Sequence, residues 1–129
     1  MSYLVAKSDD GRDISISITG SIEIGRSHED FTVVIRSGGD IVSLGISDAT
    51  VSRVHACVYL ESGRLMVKDL GSKNGTLINN ISLQGWAPEK ESRPKEIKED
   101  SILKLGYNTQ VQLIIRESTQ RIERLDITK

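Results

Sequence analysis

The sequence predicts an all-β domain that folds as a sandwich or a barrel. Nearly every apolar segment is short, rich in β-branched residues and bounded by glycine, aspartate, asparagine or serine. Ile14, Ile16 and Ile18 alternate with polar neighbours, and this period of two is typical of a strand with one buried face. A chain of 129 residues is long enough to form one domain with a hydrophobic core of its own.

The first part of the chain predicts three strands joined by short turns. Residues 3–6 form the first apolar segment, and residues 9–12 follow it as a hairpin turn. After the alternating segment 14–18, residues 22–24 repeat the alternation up to Gly25-Arg26. Arg26 therefore follows a strand directly, so that its backbone is held while its side chain extends beyond the end of the sheet.

The middle of the chain predicts an edge strand and then a central one. Residues 31–35 are expected to form the edge strand, a turn follows at residues 37–40, and Leu44 and Ile46 mark a short strand. Residues 56–60 are apolar on both faces, which favours a central strand covered on both sides. Cys57 within this segment is expected to be a small buried hydrophobe.

The rest of the chain completes one domain, which we place at residues 1–116. A tight turn is predicted at Asn79-Asn80, because asparagine tolerates a positive φ. Residues 117–129 are expected to be a polar tail or a short helix. The predicted strands of this part, each bounded by turn residues, are 65–70, 76–78, 81–83, 101–105 and 110–115.

Composition excludes several classes of protein. The chain has 17 basic and 18 acidic residues and a net charge of -1, which argues against a general nucleic-acid or membrane-surface binder. Its aromatic residues are one Trp, three Tyr and one Phe, too few for a base-stacking platform. The single cysteine excludes an internal disulfide and a cysteine-built zinc site. We expect a cytoplasmic protein without a signal segment, a membrane span, a cofactor or a metal.

Two polar loops flank the hairpin predicted over residues 56–70. Residues 51–55 precede its first strand and residues 71–75 follow its second strand, and an antiparallel pair brings such positions to the same end. The loops carry a hydroxyl, a guanidinium, an ammonium and an amide, on Ser52, Arg53, Lys73 and Asn74. Donors of this kind on rigid elements indicate a small anion-binding site.

An alternative interpretation is a hydrolytic trio of Ser52, His55 and Asp69. A histidine at the start of a buried strand is poorly placed to act as a mobile base. The cationic neighbours of Ser52 would bind an anion rather than activate a nucleophile. We therefore expect no catalytic residues.

Three short motifs together resemble the forkhead-associated (FHA) domain family. They are Gly25-Arg26, then Ser52-Arg53-Val54-His55, and finally Asn74-Gly75-Thr76 with Asn79 after it. The resemblance covers residues 21–115 and implies a β-sandwich of about eleven strands in two sheets. The loops at one end of such a sandwich bind phosphothreonine peptides of partner proteins.

The resemblance also implies a role for each motif residue. The phosphopeptide would be bound by Arg26, Ser52, Arg53, Lys73 and Asn74. Of these, Arg26, Ser52 and Arg53 would hold the phosphate, Lys73 would support it, and Asn74 would bond the peptide main chain. The residues with a structural role would be Gly25, His55 and Gly75. The loops around Ser72, Asn108 and Thr109 are expected to read peptide residues beyond the phosphothreonine.

The implied partner is a threonine-phosphorylated protein, either a substrate or an autophosphorylated region of a Ser/Thr kinase. An alternative use of the same fold is a protein-interaction scaffold that does not depend on phosphate. Thr119 and Thr128 raise a further option, self-association through a phosphorylated tail. The chain departs from the family pattern by a longer span between Arg26 and Ser52, with an insertion around residues 28–40.

Overall fold

The computed structural model describes residues 2–83 and 90–116 of the chain. The strands among these residues, in chain order, are β1 (Ser2–Lys7), β2 (Asp13–Ile18), β3 (Ser21–Arg26), β4 (Thr32–Ser37), β5 (Asp40–Ser47), β6 (Ala56–Glu61), β7 (Arg64–Asp69), β8 (Thr76–Ile78), β9 (Ile81–Ser82), β10 (Lys95–Ile97), β11 (Ser101–Leu105) and β12 (Thr109–Ile115). The predicted tail at residues 117–129 lies outside the described residues. In the part of the chain that is described, no helix is long and apolar enough to cross a membrane.

The strands form two six-stranded antiparallel sheets. One sheet has the order β2-β1-β12-β11-β8-β9, and the other has the order β10-β7-β6-β3-β4-β5. Leu4, Leu103 and Leu113 of the first sheet join Ile24 and Val58 of the second in one buried cluster. Burying a side chain of this size contributes about 1.5–3 kcal/mol, so packing between the sheets stabilises the sandwich. The predicted all-β sandwich is confirmed.

The described residues form twelve strands, where the family resemblance implied about eleven. The segment predicted as an insertion, around residues 28–40, contains the whole of β4 and the turn into β5. The prediction of an edge strand at residues 31–35 was wrong, since β4 lies between β3 and β5 and the edges of this sheet are β5 and β10. A propensity pattern identifies a strand but does not give its place in a sheet.

β6 is covered on one face only, which corrects a second prediction. Ala56 and Val58 point into the core and are 0% exposed. On the same strand Cys57 is only half-buried and Leu60 is 37% exposed, so Cys57 is not the buried hydrophobe that we expected. Apolar residues on both faces of a short segment therefore did not indicate two-sided burial here.

The ends of several strands meet at one end of the sandwich. β3 ends at Arg26 beside the start of β6, because Ile24 pairs with Ala56. The Leu70 N–H, just after β7, donates to the His55 carbonyl just before β6 at 2.9 Å. The Gly106 N–H, in the turn between β11 and β12, donates to the Gly75 carbonyl at 3.1 Å. Four separate segments of the chain are thus brought to the same end.

Candidate functional site

His55 joins the two polar loops through both nitrogens of its ring. The Ser52 N–H donates to His55 Nδ1 at 2.9 Å, so this nitrogen carries no proton. Nε2 therefore carries the proton and donates to the Gly75 carbonyl at 2.8 Å. Burial lowers the pKa of His55 from 6.5, against smaller opposing effects of the Gly75 hydrogen bond and of Asp69 and Asp48. The ring is neutral, and it fixes the Ser52 loop against the Gly75 loop.

Ser52 is oriented by the backbone of the second loop. The Lys73 N–H donates to Ser52 Oγ at 2.9 Å, which occupies one acceptor position of the hydroxyl. The hydroxyl proton of Ser52 therefore remains free to be donated to a ligand. Ser52 is half-buried and Lys73 is exposed, so both groups are accessible from solvent.

Asp69 holds the turn that presents Lys73 and Asn74. Its carboxylate is fully buried and accepts the Ser72 N–H at 2.9 Å, the Ser72 hydroxyl at 2.6 Å and the Thr76 hydroxyl at 2.6 Å. Burial alone would raise the pKa of Asp69, but the hydrogen bonds from Ser72 and Thr76 outweigh it and lower the pKa from 3.8. Ser72 is 0% exposed, so the expectation that this loop reads peptide residues depends on its exposed neighbour Lys73 and stays a prediction.

Asn74 is held by the backbone of Thr50, which a second buried carboxylate, that of Asp48, fixes in turn. Asn74 Nδ2 donates to the Thr50 carbonyl at 2.8 Å, and the Thr50 hydroxyl donates to Asp48 Oδ1 at 2.6 Å. The other carboxylate oxygen accepts the Thr109 hydroxyl at 2.6 Å. This leaves Asn74 Oδ1 available for the N–H of a bound peptide. Thr109 is only 1% exposed, whereas Asn108 beside it is exposed. The expectation that this loop reads peptide residues therefore depends on Asn108 and stays a prediction.

Gly25-Arg26 lies against the backbone of Ser52 and Arg53. The Arg26 N–H donates to the Ser52 carbonyl at 3.0 Å and is 3.3 Å from the Arg53 carbonyl oxygen. A Cβ at Gly25 would lie 2.0 Å from that Arg53 oxygen, so only glycine permits this approach. The two arginines are therefore neighbours in space although they are distant in sequence.

The Arg26 side chain is placed by an aromatic ring. Its guanidinium carbon lies 5.4 Å from the centroid of the Phe31 ring, at cation–π distance. Among the described residues, the buried Nε of Arg26 has no hydrogen-bond partner. A buried guanidinium donor without a partner is costly unless a ligand supplies the acceptor.

The positive charge at this end of the sandwich is not neutralised. Arg26, Arg53 and Lys73 form no ion pair with any carboxylate of residues 2–83 or 90–116. The ion pairs that do form lie elsewhere, as between Lys68 and Glu91 at 3.0 Å. Unpaired cations beside a free hydroxyl favour an anion with several acceptor oxygens.

The structure does not assemble a hydrolytic trio. Ser52 meets His55 through its backbone N–H and not through its hydroxyl. Both ring nitrogens of His55 are occupied by backbone groups, which leaves neither to act as a general base. Within the described ranges, no group of three potential ligands is arranged to hold a metal ion.

Sequence reasoning missed Asp48, Thr50, Phe31 and Arg36 as parts of the site. Asp48 had a usable signal, because an aspartate two residues before a threonine often accepts that residue's N–H in an Asx turn, and the Thr50 N–H does donate to Asp48 at 2.9 Å. For Phe31 and Arg36 no local signal exists. The guanidinium of Arg36 donates to Glu23 and to the carbonyls of Arg26 and Arg53, which all belong to other segments. Phe31 follows Arg26 closely in sequence, but no pattern indicates that its ring contacts the Arg26 guanidinium.

Comparison with known proteins gives the same assignment as the motifs. A family model for the FHA domain matches residues 22–106. A probable E3 ubiquitin-protein ligase of Schizosaccharomyces pombe, dma1, is 35% identical over 85 residues, which are 66% of this chain and 29% of that protein. An FHA domain-containing protein of Arabidopsis thaliana is 34% identical over 68 residues, 53% of this chain and 16% of that protein. The chain thus spans less than a third of the length of either relative.

Solved structures show the same fold. The kinase-interacting FHA domain of an Arabidopsis kinase-associated protein phosphatase is 26% identical and has a TM-score of 0.61, with 88% of this chain and 91% of that chain covered. A second FHA structure, from work on phosphothreonine-dependent interactions, is 19% identical with a TM-score of 0.57, and 90% of this chain and 97% of that chain are covered. FHA domains are interaction modules and not enzymes. The family model and these structures together show that the chain belongs to the FHA domain family.

Proposed function

We propose that this domain binds phosphothreonine-containing segments of partner proteins through Arg26, Ser52, Arg53, Lys73 and Asn74. The observation that carries the proposal is that Arg26, Arg53 and Lys73 form no ion pair among the described residues, while their backbones lie beside Ser52, whose hydroxyl proton is free to be donated. A phosphothreonine brings close to two negative charges and three acceptor oxygens at neutral pH. The donors of the site suit that ligand in both charge and number.

The magnitudes favour reversible binding. Charge-assisted hydrogen bonds contribute roughly 1.5–3 kcal/mol each, and association has a cost of several kcal/mol. Four such bonds at about 3 kcal/mol each, less an association cost of about 4 kcal/mol, leave about 8 kcal/mol, which corresponds to a micromolar complex. Because the second ionisation of the phosphate lies near pH ~6, we expect affinity to fall on acidification below that value.

The comparisons support the class of ligand and suggest its context. One similar FHA domain is described as kinase-interacting, and another was studied for phosphothreonine-dependent interactions. We propose that the partner here is likewise a protein phosphorylated by a Ser/Thr kinase, either a kinase substrate or an autophosphorylated region of the kinase. We further propose that the interaction takes place in the cytoplasm.

A paired-peptide experiment tests the proposal. A degenerate phosphothreonine peptide mixture and its unphosphorylated counterpart are titrated against the wild type and against Arg53→Ala. We expect micromolar binding of the phosphorylated mixture alone, weakened at least tenfold by the substitution. Arg64→Ala is the matched control, because Arg64 is an exposed arginine at the start of β7, at the other end of the β6–β7 hairpin. Equal binding of both mixtures would refute phosphate recognition and favour the phosphate-independent scaffold.

Self-association through a phosphorylated tail stays a prediction, since Thr119 and Thr128 lie outside the described residues. In this arrangement the phosphorylated tail of one copy would occupy the pocket of the next copy. Light scattering of the kinase-treated protein, before and after phosphatase, distinguishes such an oligomer from a monomer. An assembly that survives phosphatase treatment would contradict this prediction.

A further inference from the structure

Arg36 on β4 connects the two arginines of the pocket through their backbones. Arg36 Nη1 donates to the Arg53 carbonyl at 2.8 Å, and Nη2 donates to the Arg26 carbonyl at 2.8 Å. Nη1 also forms an ion pair with Glu23 Oε1 at 3.0 Å. Arg36 and Glu23 face each other in the register of β3 and β4, and the Arg36 side chain is only 20% exposed.

The path of this side chain depends on Gly25. Gly25 follows Glu23 by two residues and therefore lies on the same face of β3. A Cβ at Gly25 would approach Arg36 Nη1 to 2.9 Å as well as the Arg53 backbone. The absence of a side chain at residue 25 thus opens the space through which the Arg36 guanidinium reaches both carbonyls.

A guanidinium is suited to this arrangement and an ammonium is not. Its planar fork presents several N–H donors in fixed directions, whereas a lysine offers one mobile point charge. The two carbonyls that it bridges belong to the residues whose side chains approach the proposed phosphate. One side chain thus fixes the main chains of both Arg26 and Arg53. This sets how far apart their side chains start and in which directions they extend toward the proposed phosphate.

We propose that Arg36 is a positioning residue for the phosphothreonine pocket. It acts by holding the main chains of Arg26 and Arg53 at a fixed separation and does not itself contact the phosphate. The proposal rests on the proposed function for the ligand, but the contacts themselves do not depend on it. It also gives a role to the insertion that separates this chain from the family pattern, because β4 lies in that insertion and supplies the arginine.

Two substitutions separate positioning from charge. Arg36→Lys keeps the positive charge and an ion pair with Glu23, but it cannot bridge two carbonyls in fork geometry. We expect at least tenfold weaker binding of the best phosphothreonine peptide, with the thermal midpoint within a few degrees of the wild type. Glu23→Gln removes the ion pair and leaves both carbonyl bonds, so its affinity should stay within about twofold of the wild type.

A measurement on the free protein tests the contacts independently of any ligand. A carbonyl that loses a hydrogen bond shifts the amide nitrogen of the following residue, which is Ser27 after Arg26 and Val54 after Arg53. We expect both ¹⁵N resonances to move in Arg36→Lys and to stay in place in Glu23→Gln. This measurement does not depend on a ligand. If the wild type failed to prefer phosphorylated peptides, the proposed function would be refuted, but the contacts of Arg36 could still be tested.

The outcomes that overturn the proposal are distinct. Wild-type affinity in Arg36→Lys would show that a positive charge at residue 36 is sufficient for binding and that the bridge between the carbonyls is not needed. Equal losses in Arg36→Lys and Glu23→Gln would assign the effect to the ion pair and not to the bridge between the carbonyls. Unmoved resonances at Ser27 and Val54 in Arg36→Lys would show that the bridge does not form in solution.

Discussion

The body of the sandwich and the end that carries the polar loops, the proposed ligand-binding end, are held together by different forces. In the body, buried side chains such as Leu103 and Val58 are apolar and contact residues from both sheets. At the ligand-binding end, the buried residues Asp48, His55 and Asp69 are polar, and each is bonded to groups from other parts of its loop or from another loop. Apolar burial stabilises without direction, whereas hydrogen bonds fix geometry.

This difference shows how the chain places a rigid site on loops. A buried polar group that loses its partner costs about 1–3 kcal/mol, so each bonded pair opposes alternative loop conformations. The cationic side chains of the proposed pocket are left without acidic partners among the described residues. The network therefore holds the backbone, and the charges of Arg26, Arg53 and Lys73 stay available for an anion.

The largest effect should come from damage to the body. Leu103 is 0% exposed, and Leu103→Ala should destabilise the domain by about 2–5 kcal/mol because a cavity remains. Urea unfolding measures this loss, and peptide affinity of the folded fraction should be unchanged. Ile102 is the matched control, since it lies on the same strand but is 45% exposed. An equal loss in Ile102→Ala would contradict the assignment of the core to one face of β11.

The next effect should come from pH and act on the ligand-binding end. The folded state holds His55 neutral, with its pKa lowered by burial, whereas the unfolded chain takes up a proton near pH 6.5. The unfolded state therefore binds more protons on acidification, and this contribution to stability is full above pH 6.5 and is lost as the pH falls below it. One proton limits the slope to about 1.4 kcal/mol per pH unit.

Urea unfolding of the peptide-free protein between pH 7 and pH 5 measures this slope. The His55→Gln variant is expected to be less stable than the wild type at pH 7. Its free energy of unfolding should change less with pH over the same range. The pKa values of Asp48 and Asp69 are lowered from 3.8 by hydrogen bonds that outweigh burial. Their contributions are therefore lost only at lower pH. A slope that persists in His55→Gln would show that another group carries the pH dependence.

The two regions also differ in how far the sequence predicts them. Alternation of apolar residues along a strand is a local property, and it located most strands, including 14–18 and 101–105. The two polar loops were predicted to meet because they flank one hairpin, and His55 and Gly75 do meet through a hydrogen bond. Local patterns were thus sufficient to predict contacts between segments that belong to, or directly flank, the two strands of one hairpin.

The features that the sequence did not predict depend on contacts between distant segments of the chain. Arg36 donates to the Arg53 carbonyl across 17 positions of sequence, and Thr109 donates to Asp48 across 61. The pattern of β4 places Arg36 on an outer face but carries no information about which carbonyl approaches that face. The same limit explains why the predicted burial of Cys57 was wrong. The pattern of a strand does not reveal which face of its sheet a second sheet will cover.

The smallest effect should come from Phe31, which supports a ligand-facing side chain without joining the buried network. Its ring is 53% exposed and lies 5.4 Å from the Arg26 guanidinium carbon. An exposed cation–π contact contributes about 0.5–1 kcal/mol, so Phe31→Ala should weaken phosphothreonine-peptide binding by about two- to fivefold. The free energy of unfolding should change little, because the ring is largely outside the core.

Phe31→Leu distinguishes the ring from its bulk. Leucine keeps an apolar contact with Arg26 but removes the π face, so isothermal titration should show an affinity close to that of Phe31→Ala. Wild-type affinity in Phe31→Leu would show that packing alone orients Arg26. Wild-type affinity in both variants would show that the backbone contacts of Arg26 with Ser52, Arg53 and Arg36 are sufficient to orient its side chain. The proposed ligand-binding end would then depend on its hydrogen-bond network alone.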